Sequence, residues 1–323
     1  MATMRVVRAD EAGGPEVLTV HQVERPEPGA HEVLIKVAAA GINRGDVLQR
    51  LGHYPPPPGV TDVLGLEVSG TVAAVGDAVR DWQVDDECVA LLAGGGYAEY
   101  VAVDERQIMR CPKGMDLETA GGFVEVAATV VSNLERARLG KGETLLVHGG
   151  AGGIGSFAIQ YAKYLGARVV TTAGKPEKLE FCRELGADLA LDYHDDWADA
   201  VKEFGGVDVV LDSIGAKYLP LHLDLMSPGG RMVTIGMMKG RKGELDLGVL
   251  LAKRCTVMGT TLRSRSSEYK GGVLARVDDV CHEGYANGTF RAVPVRSWPL
   301  DEAAAAHEFF DSGDHIGKLV LRP

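Results

Sequence analysis

The chain is short of several things that mark whole classes of protein. Its 323 residues hold only five cysteines, Cys88, Cys111, Cys182, Cys255 and Cys281. They are odd in number, widely scattered and nowhere spaced C-x-x-C, so neither a zinc cluster nor a thioredoxin-like motif is suggested, and they read as inert thiols. Positive charge is short as well: 34 Lys and Arg against 45 Asp and Glu leave a net charge of −11, which argues against a nucleic-acid or anionic-membrane surface. No apolar run is long enough to span a bilayer, and the start, Met1-Ala2-Thr3-Met4-Arg5, lacks the apolar core of a signal peptide; a cytoplasmic protein is expected. Internal repeats and low-complexity segments are absent. His21, His31, His53, Cys88 and Cys111 stand at no ligand-like spacing, so no metal is expected.

What is present is an ordinary globular composition, 46% hydrophobic and 24% charged, in a chain long enough for about two domains. The chain is organised around Thr144-Leu145-Leu146-Val147-His148, a branched apolar run that feeds straight into Gly149-Gly150-Ala151-Gly152-Gly153-Ile154-Gly155 and then into a segment with helical spacing. Strand, glycine turn and helix follow in that order, and Gly150, Gly152 and Gly155 fit G-x-G-x-x-G. In such a loop the first glycine permits the tight turn, the second lets the backbone approach a pyrophosphate, and the third lets helix and strand pack. The helix N-terminus adds free N–H groups and a positive dipole end. A dinucleotide site is expected here. His148 reads as structural.

Residues about 123 to 262 alternate strand and helix, which predicts a parallel sheet with helices on both faces and ligands at the C-terminal strand ends. The loops after the strands start at Gly149, Ala173, Tyr193, Ser213 and Gly236, so Ser213 with Ile214, and Gly236 with Met237 and Met238, are expected along the cofactor. An NAD site usually carries an acid about 20 residues after the glycine loop to hold the ribose 2′-hydroxyl. Here Gly174 and Lys175 occupy that turn, with Lys178 one helical turn on. An acid would repel a 2′-phosphate, whereas a small residue with lysines accepts one; NADPH is expected.

Residues 1 to about 122 are β-rich, with short apolar runs between Gly and Pro turns, which suggests a barrel-like domain. One stretch stands apart. Asn43 to Arg50 reads as a short helix, followed by Gly52-His53-Tyr54 and four prolines, Pro55 to Pro58. The prolines stiffen the loop, which either presents the Tyr54 hydroxyl to a cleft or packs the ring on the prolines themselves. Asn43 is either a donor to substrate or a helix cap. Asp46 orients the helix, and His53 is a candidate proton relay. The tail, 263–323, holds two helices and a lone strand, Gly317 to Leu321, which needs a sheet to join. The run Arg254 to Thr261 reads as the last strand of the parallel sheet, at its edge, and exposed edges tend to be paired.

With these residues in hand, the chain resembles the zinc-free quinone oxidoreductase branch of the medium-chain dehydrogenase/reductases, in the subgroup of the tumour-suppressor-induced NADPH quinone reductase. Asn43-Arg44-Gly45-Asp46-Val47-Leu48-Gln49-Arg50 resembles that family's N-R-x-D-x-x-Q-R helix, and Tyr54 to Gly59 its tyrosine–proline loop. Asn43 and Leu66 stand where zinc relatives carry cysteine and histidine ligands, and the cysteine-rich structural zinc lobe is replaced by Gly94 to Tyr100. Leu262-Arg263-Ser264-Arg265 and Ile316-Gly317-Lys318 also fit.

The resemblance implies an α/β chain in which a GroES-like β-rich catalytic domain, 1–122 and 263–323, carries an inserted Rossmann-type doubly wound domain, 123–262. It implies Glu125 and Thr129 near the nicotinamide, Leu262, Arg263 and Lys318 at the cofactor, a small quinone or enone substrate and a homodimer. The family's proline and tryptophan near Glu125 are replaced by Val124 and Ala127, which implies a wider pocket wall, and His315 stands where asparagine is frequent. An NADPH-dependent quinone reductase is therefore expected, with Tyr54 and Asn43 as donors to the substrate oxygen. The rivals are an enoyl or alkenal reductase and a low-turnover NADPH-binding protein of crystallin or sensor type.

Overall fold

Two periodicities in the sequence sort into two parts of the structure, a computed structural model that describes residues 2–323. One unit comprises 2–128, Leu262–Ala286 and Arg291–Pro323; the other comprises Thr129–Thr261 and Asn287–Phe290. Among the described residues no helix is long and apolar enough to cross a membrane.

Unit 1 carries the period-two segments. Thr3–Ala9 and Leu18–Glu24 pair antiparallel as a ribbon. A seven-stranded sheet runs Val295–Pro299, Lys318–Arg322, Glu32–Gly41, Glu67–Val75, Glu87–Leu91 and Ile108–Arg110, with Tyr100–Asp104 on the flank of Glu32–Gly41. Alternation sends Val33, Ile35 and Val37 into a core shared with Val68, Val72, Cys88 and Ala90. Thr3–Ala9 escapes a pattern search because Val6 and Val7 are adjacent and both buried. The tail strand joins this sheet antiparallel, with Val320 opposite Gly41 and Leu321 opposite Ala40.

Unit 2 is a six-stranded parallel sheet in the order Leu189–Asp192, Arg168–Ala173, Thr144–His148, Val207–Asp212, Met226–Thr234, Thr256–Gly259. The chain leaves the central Thr144–His148 strand toward one edge, then restarts beside it at Val207. The switch point therefore lies between Thr144–His148 and Val207–Asp212, where ligands sit in folds of this kind. Two boundaries differ from the sequence pattern. The strand expected from Gly230 begins at Met226, because a register shift carries the pairing past the turn-like Ser227-Pro228-Gly229. The last strand begins at Thr256 and not at Arg254, because Arg254 takes φ 55° to cap an unexpected helix, Leu247–Lys253. As the sequence implied, it is an edge strand.

His148, at the end of the central strand, heads a buried polar chain. Its Nδ1 lies 2.8 Å from Thr172 Oγ1 and its Nε2 2.9 Å from His222 Nε2. Among the described residues His222 Nδ1 has no hydrogen-bond partner, and it lies 3.9 Å from Asp212 Oδ1. One proton per ring satisfies the set: the Thr172 hydroxyl donates to His148, His148 Nε2–H donates to His222, and His222 Nδ1–H faces Asp212. Both rings are therefore neutral. Burial, and then the other imidazole, pushes His148 down to about 3; burial pushes His222 down to about 4.

Because the folded state favours the neutral rings, their contribution to stability is complete above the ordinary histidine pKa of about 6.5 and is lost as pH falls toward 4 and 3. Denaturant melts of unit 2 from pH 7.5 to 4 should show stability falling below pH 6.5 by up to about 1.4 kcal/mol per histidine per pH unit. A His148→Gln, His222→Gln variant should lose most of that slope; an unchanged slope would place the acid lability elsewhere.

Candidate active site

The glycine loop shows which of its glycines the chain itself requires. Gly149 turns with φ 70°, and the N–H groups of Gly149 and Gly150 both donate to Thr172 O, at 2.9 and 3.1 Å. A Cβ on Gly150 would overlap the Thr171 side chain and come within 2.7 Å of Cys182 Sγ. A Cβ on Gly155 would overlap the backbone of Gly149 and Gly150. Gly152 is different. Its φ of −84° suits any residue, and a Cβ there would meet only Gly149 O, at 3.5 Å. Packing does not demand glycine at 152, whereas a bulky anion seated on the N-terminus of helix Gly153–Tyr164 would. The cradle therefore fits a pyrophosphate, with Ala151, Gly153 and Ile154 completing it.

Asp212 assembles the neighbouring loops and was not singled out by the sequence. Its Oδ1 accepts from the N–H groups of Ile214 and Gly215, at 2.9 and 3.0 Å, and its Oδ2 from Thr234 Oγ1. Its backbone carbonyl accepts from Ile235 and Gly236. Ser213, Ile214, Gly236, Met237 and Met238 are thereby gathered at one strand end, with Met237 and Met238 exposed. At the next strand ends Tyr193 lies so close over Gly174 that a Cβ there would strike its hydroxyl. Exposed Lys175 and half-buried Lys178 open the helix Pro176–Glu184 beside it. Among the described residues no carboxylate occupies position 174 or 175, so the turn suits a 2′-phosphate.

In unit 1, Asn43 caps the helix Arg44–Arg50 from a buried hub. Asn43 Nδ2 donates to Glu67 Oε1 at 2.9 Å, and Lys318 Nζ donates to Asn43 Oδ1, Glu67 Oε1 and Ile42 O at 2.7, 2.8 and 3.1 Å. Glu67 Oε2 accepts from Glu125 N at 2.9 Å. All three N–H groups of Lys318 and the Asn43 amide are thus engaged inside the unit. Asp46 is fully buried and accepts from Asn43 N and Gly65 N, at 2.8 and 3.1 Å; burial raises its pKa to about 6 against the pull of those two donors, Lys318 and Arg263.

Behind it lies a chain the sequence did not reveal. Arg50 Nη1 donates to His307 Nδ1, so His307 Nε2–H donates to Tyr97 Oη at 2.9 Å and leaves the Tyr97 hydroxyl to donate to Asp46. Burial and Arg50 hold His307 down at about 3, so the chain stays neutral at the ring. The carboxylate oxygens of this hub already hold N–H donors or the Lys318 ammonium. The donor set does not fit a metal ion.

The Tyr54 ring lies under the Arg263 guanidinium, 4.9 Å from the ring centroid. Arg263 is buried and holds three elements at once, donating to Ala93 O at 2.7 Å, Tyr54 O at 3.1 Å and Gln49 Oε1 at 2.5 Å. The Tyr54 hydroxyl makes no hydrogen bond with any described residue and is not sealed from solvent. Burial raises its pKa, against Arg263, so it stays a donor at neutral pH. Half-buried Leu262 precedes Arg263, and His53 is exposed. Glu125 and Thr129 lie one turn apart on the helix Val124–Arg136. Val124 and Ala127, the small side chains on the same helix, are fully buried.

The loop analysis separates two glycine substitutions. Gly155→Ala should lower the melting temperature by several degrees, whereas Gly152→Ala should leave it unchanged and weaken dinucleotide binding at least about tenfold. Thermal denaturation and a fluorescence titration on both variants check this; a Gly152→Ala protein that binds normally would remove the pyrophosphate from this turn.

Residues 153–279 match the family model described as zinc-binding dehydrogenase, and residues 29–113 match the alcohol dehydrogenase GroES-like domain. The chain is 31% identical over 325 residues to a phenolphthiocerol/phthiocerol polyketide synthase of Mycobacterium tuberculosis, covering 98% of this chain but only 14% of that protein. It is 33% identical over 318 residues to the quinone oxidoreductase of Pseudomonas aeruginosa, covering 96% of this chain and 97% of that one. The Escherichia coli quinone oxidoreductase complexed with NADPH superposes with a TM-score of 0.88 at 30% identity, over all of both chains. CurK enoyl reductase superposes at 0.86 and 29% identity, over 99% of each. With a GroES-like segment, a dinucleotide-binding parallel sheet and full-length likeness of this order, the chain belongs to the quinone oxidoreductases of the medium-chain dehydrogenase/reductase superfamily.

Proposed function

We propose that this chain is an NADPH-dependent, metal-independent quinone oxidoreductase. The observation that carries the reading is the hydroxyl of Tyr54, which has no hydrogen-bond partner among the described residues and whose ring is held by Arg263, beside a hub in which Asn43, Asp46, Glu67 and Lys318 are already bonded. Bound NADPH supplies a hydride. The rest falls to the chain. The turn at Gly150, Gly152 and Gly155 binds the pyrophosphate, and Gly174, Lys175, Lys178 and Tyr193 take the 2′-phosphate. Tyr54 donates to the quinone oxygen as negative charge develops on it. Asn43 and Asp46 act as positioning residues: their side chains hold the start of helix Arg44–Arg50, from which the Tyr54 loop departs. The catalytic domain in this reading is 1–122 with 263–323, and the cofactor domain is 123–262. The cytoplasm is the compartment we assign, in keeping with five free thiols.

Steady-state NADPH oxidation with a naphthoquinone, repeated with NADH and with an alkenal, tests this. Wild type should favour NADPH over NADH, and Tyr54→Phe should lower quinone kcat/KM by about tenfold to a hundredfold. Faster turnover of the alkenal would move the assignment to the enoyl reductase reading, which the likeness to CurK enoyl reductase supports. Tight NADPH binding with no turnover of either acceptor would make the chain a binding protein.

We further propose a homodimer. Strand Thr256–Gly259 pairs on one side only, and Leu247 and Leu251, one turn apart on the adjoining helix, are 67% and 80% exposed. Light scattering should give twice the mass of one chain for wild type and the mass of one chain for Leu251→Asp; a wild-type monomer at micromolar concentration would overturn the pairing.

A further inference from the structure

Helix Ser267–Ala286 packs against Glu105–Gln107 and Ile108–Arg110 and buries Val273, Leu274, Val277 and Cys281 along one stripe. The spacing of that stripe puts Lys270 at its head, where the side chain is 2% exposed. A position that served packing alone would carry leucine or methionine, because burying an unpaired ammonium is among the costliest acts in a fold. Yet Lys270 Nζ makes no hydrogen bond or ion pair with any described residue. It is also absent from the chain's sealed unpartnered atoms, so its tip opens on solvent.

The charge nearest to it is positive. Arg263, 6% exposed, faces Lys270, and its guanidinium stands over the Tyr54 ring. The elements packed against the helix offer no free acid. Glu105 lies 3.4 Å from His31, Arg106 is paired with Asp104, and Arg110 with Asp86. On the helix itself Glu268 is exposed. Arg263 feels the Asp46 carboxylate, which is fully buried and already accepts from Asn43 N and Gly65 N, and Glu125 acts on Tyr54; no acid acts on Lys270, so its ammonium is the charge an anion beside Tyr54 would neutralise.

We propose that Lys270 and Arg263 form an oxyanion-binding site in unit 1, beside Tyr54, which takes a carboxylate, sulfonate or phosphate carried on the acceptor. This rests on the oxidoreductase reading for the identity of the acceptor. It gives the enzyme a preference for acidic quinones over neutral ones of the same size. Burial and the Arg263 charge lower the Lys270 ammonium to about 8, so the site is charged at neutral pH and loses half its charge above that point.

Equilibrium dialysis of the full chain against anthraquinone-2-sulfonate and neutral 2-(hydroxymethyl)anthraquinone, from pH 6.5 to 9.5, reads the site without turnover. The sulfonate stays ionised throughout, so only the protein titrates. Wild type should bind the sulfonate at least tenfold more tightly than the neutral quinone at pH 6.5, and that preference should fall as pH passes about 8. Lys270→Arg should keep the preference at pH 9.5, and Lys270→Met should lose it at every pH. Equal preference in wild type and Lys270→Met would overturn the site. So would a loss of NADPH affinity in Lys270→Met with the sulfonate preference intact, because the anion would then be the cofactor's. NADPH oxidation with menadione on the same wild-type sample separates the two readings: sulfonate preference without turnover keeps the site and removes the reductase, and turnover without preference does the reverse. Should Lys270→Met fail to fold, the pH profile of wild type against Lys270→Arg decides alone.

Discussion

The buried pair of Lys318 and Glu67 is the constraint on which unit 1 depends. Lys318 comes from the tail strand and Glu67 from the strand Glu67–Val75, and both are nearly or wholly inaccessible. Such a pair contributes little net stability, but removing one partner strands a charge and costs about 3–5 kcal/mol. What the pair confers is placement. Asn43, the cap of helix Arg44–Arg50, is held by both partners, and Glu125 N is held by the other oxygen of Glu67. One ion pair thus sets the tail, the cap and the start of the helix Val124–Arg136 in a single register.

Unit 2 obeys a similar rule with neutral groups. Thr172 accepts the two glycine-loop N–H groups on its carbonyl and turns its hydroxyl to His148. His148 leans on His222, which faces Asp212, and Asp212 gathers the loops at Ser213 and Gly236. The glycine turn and the neighbouring loops are therefore joined under the sheet end by one polar chain. In both units the groups that touch ligands in the proposed mechanism are few, and the groups that hold them are buried and many.

Much of this was legible in the residues, and what escaped did so for definite reasons. The G-x-G-x-x-G turn announces itself because three glycines at fixed offsets between a strand and a helix have one common physical use. The missing acid at Gly174 and Lys175 is a local fact about a single turn. Tyr54 could be found through its prolines but not given a packing, because its ring partner, Arg263, is remote in sequence. Lys318 and Arg263 carry donors that suit a phosphate; their engagement within unit 1 follows from pairings over very long sequence separations, to which no local pattern is sensitive. Asp212 and His307 left no signal, since a single polar residue in a largely apolar run looks like any other, and Tyr97 follows three glycines that say nothing about its distant partner His307.

The sequence by itself determined the two periodicities, the order of the parallel strands along the chain, the phosphate turn and the choice of cofactor, all of which rest on residues within one or two turns of each other. Tertiary structure alone decided which polar groups remain available. Hydrogen-bond capacity is finite, so a side chain's chemistry is settled by what has already bonded to it. That is why Asn43 and Lys318 serve as scaffolding in the proposed reading, while the hydroxyl of Tyr54 and the ammonium of Lys270 have no partner among the described residues.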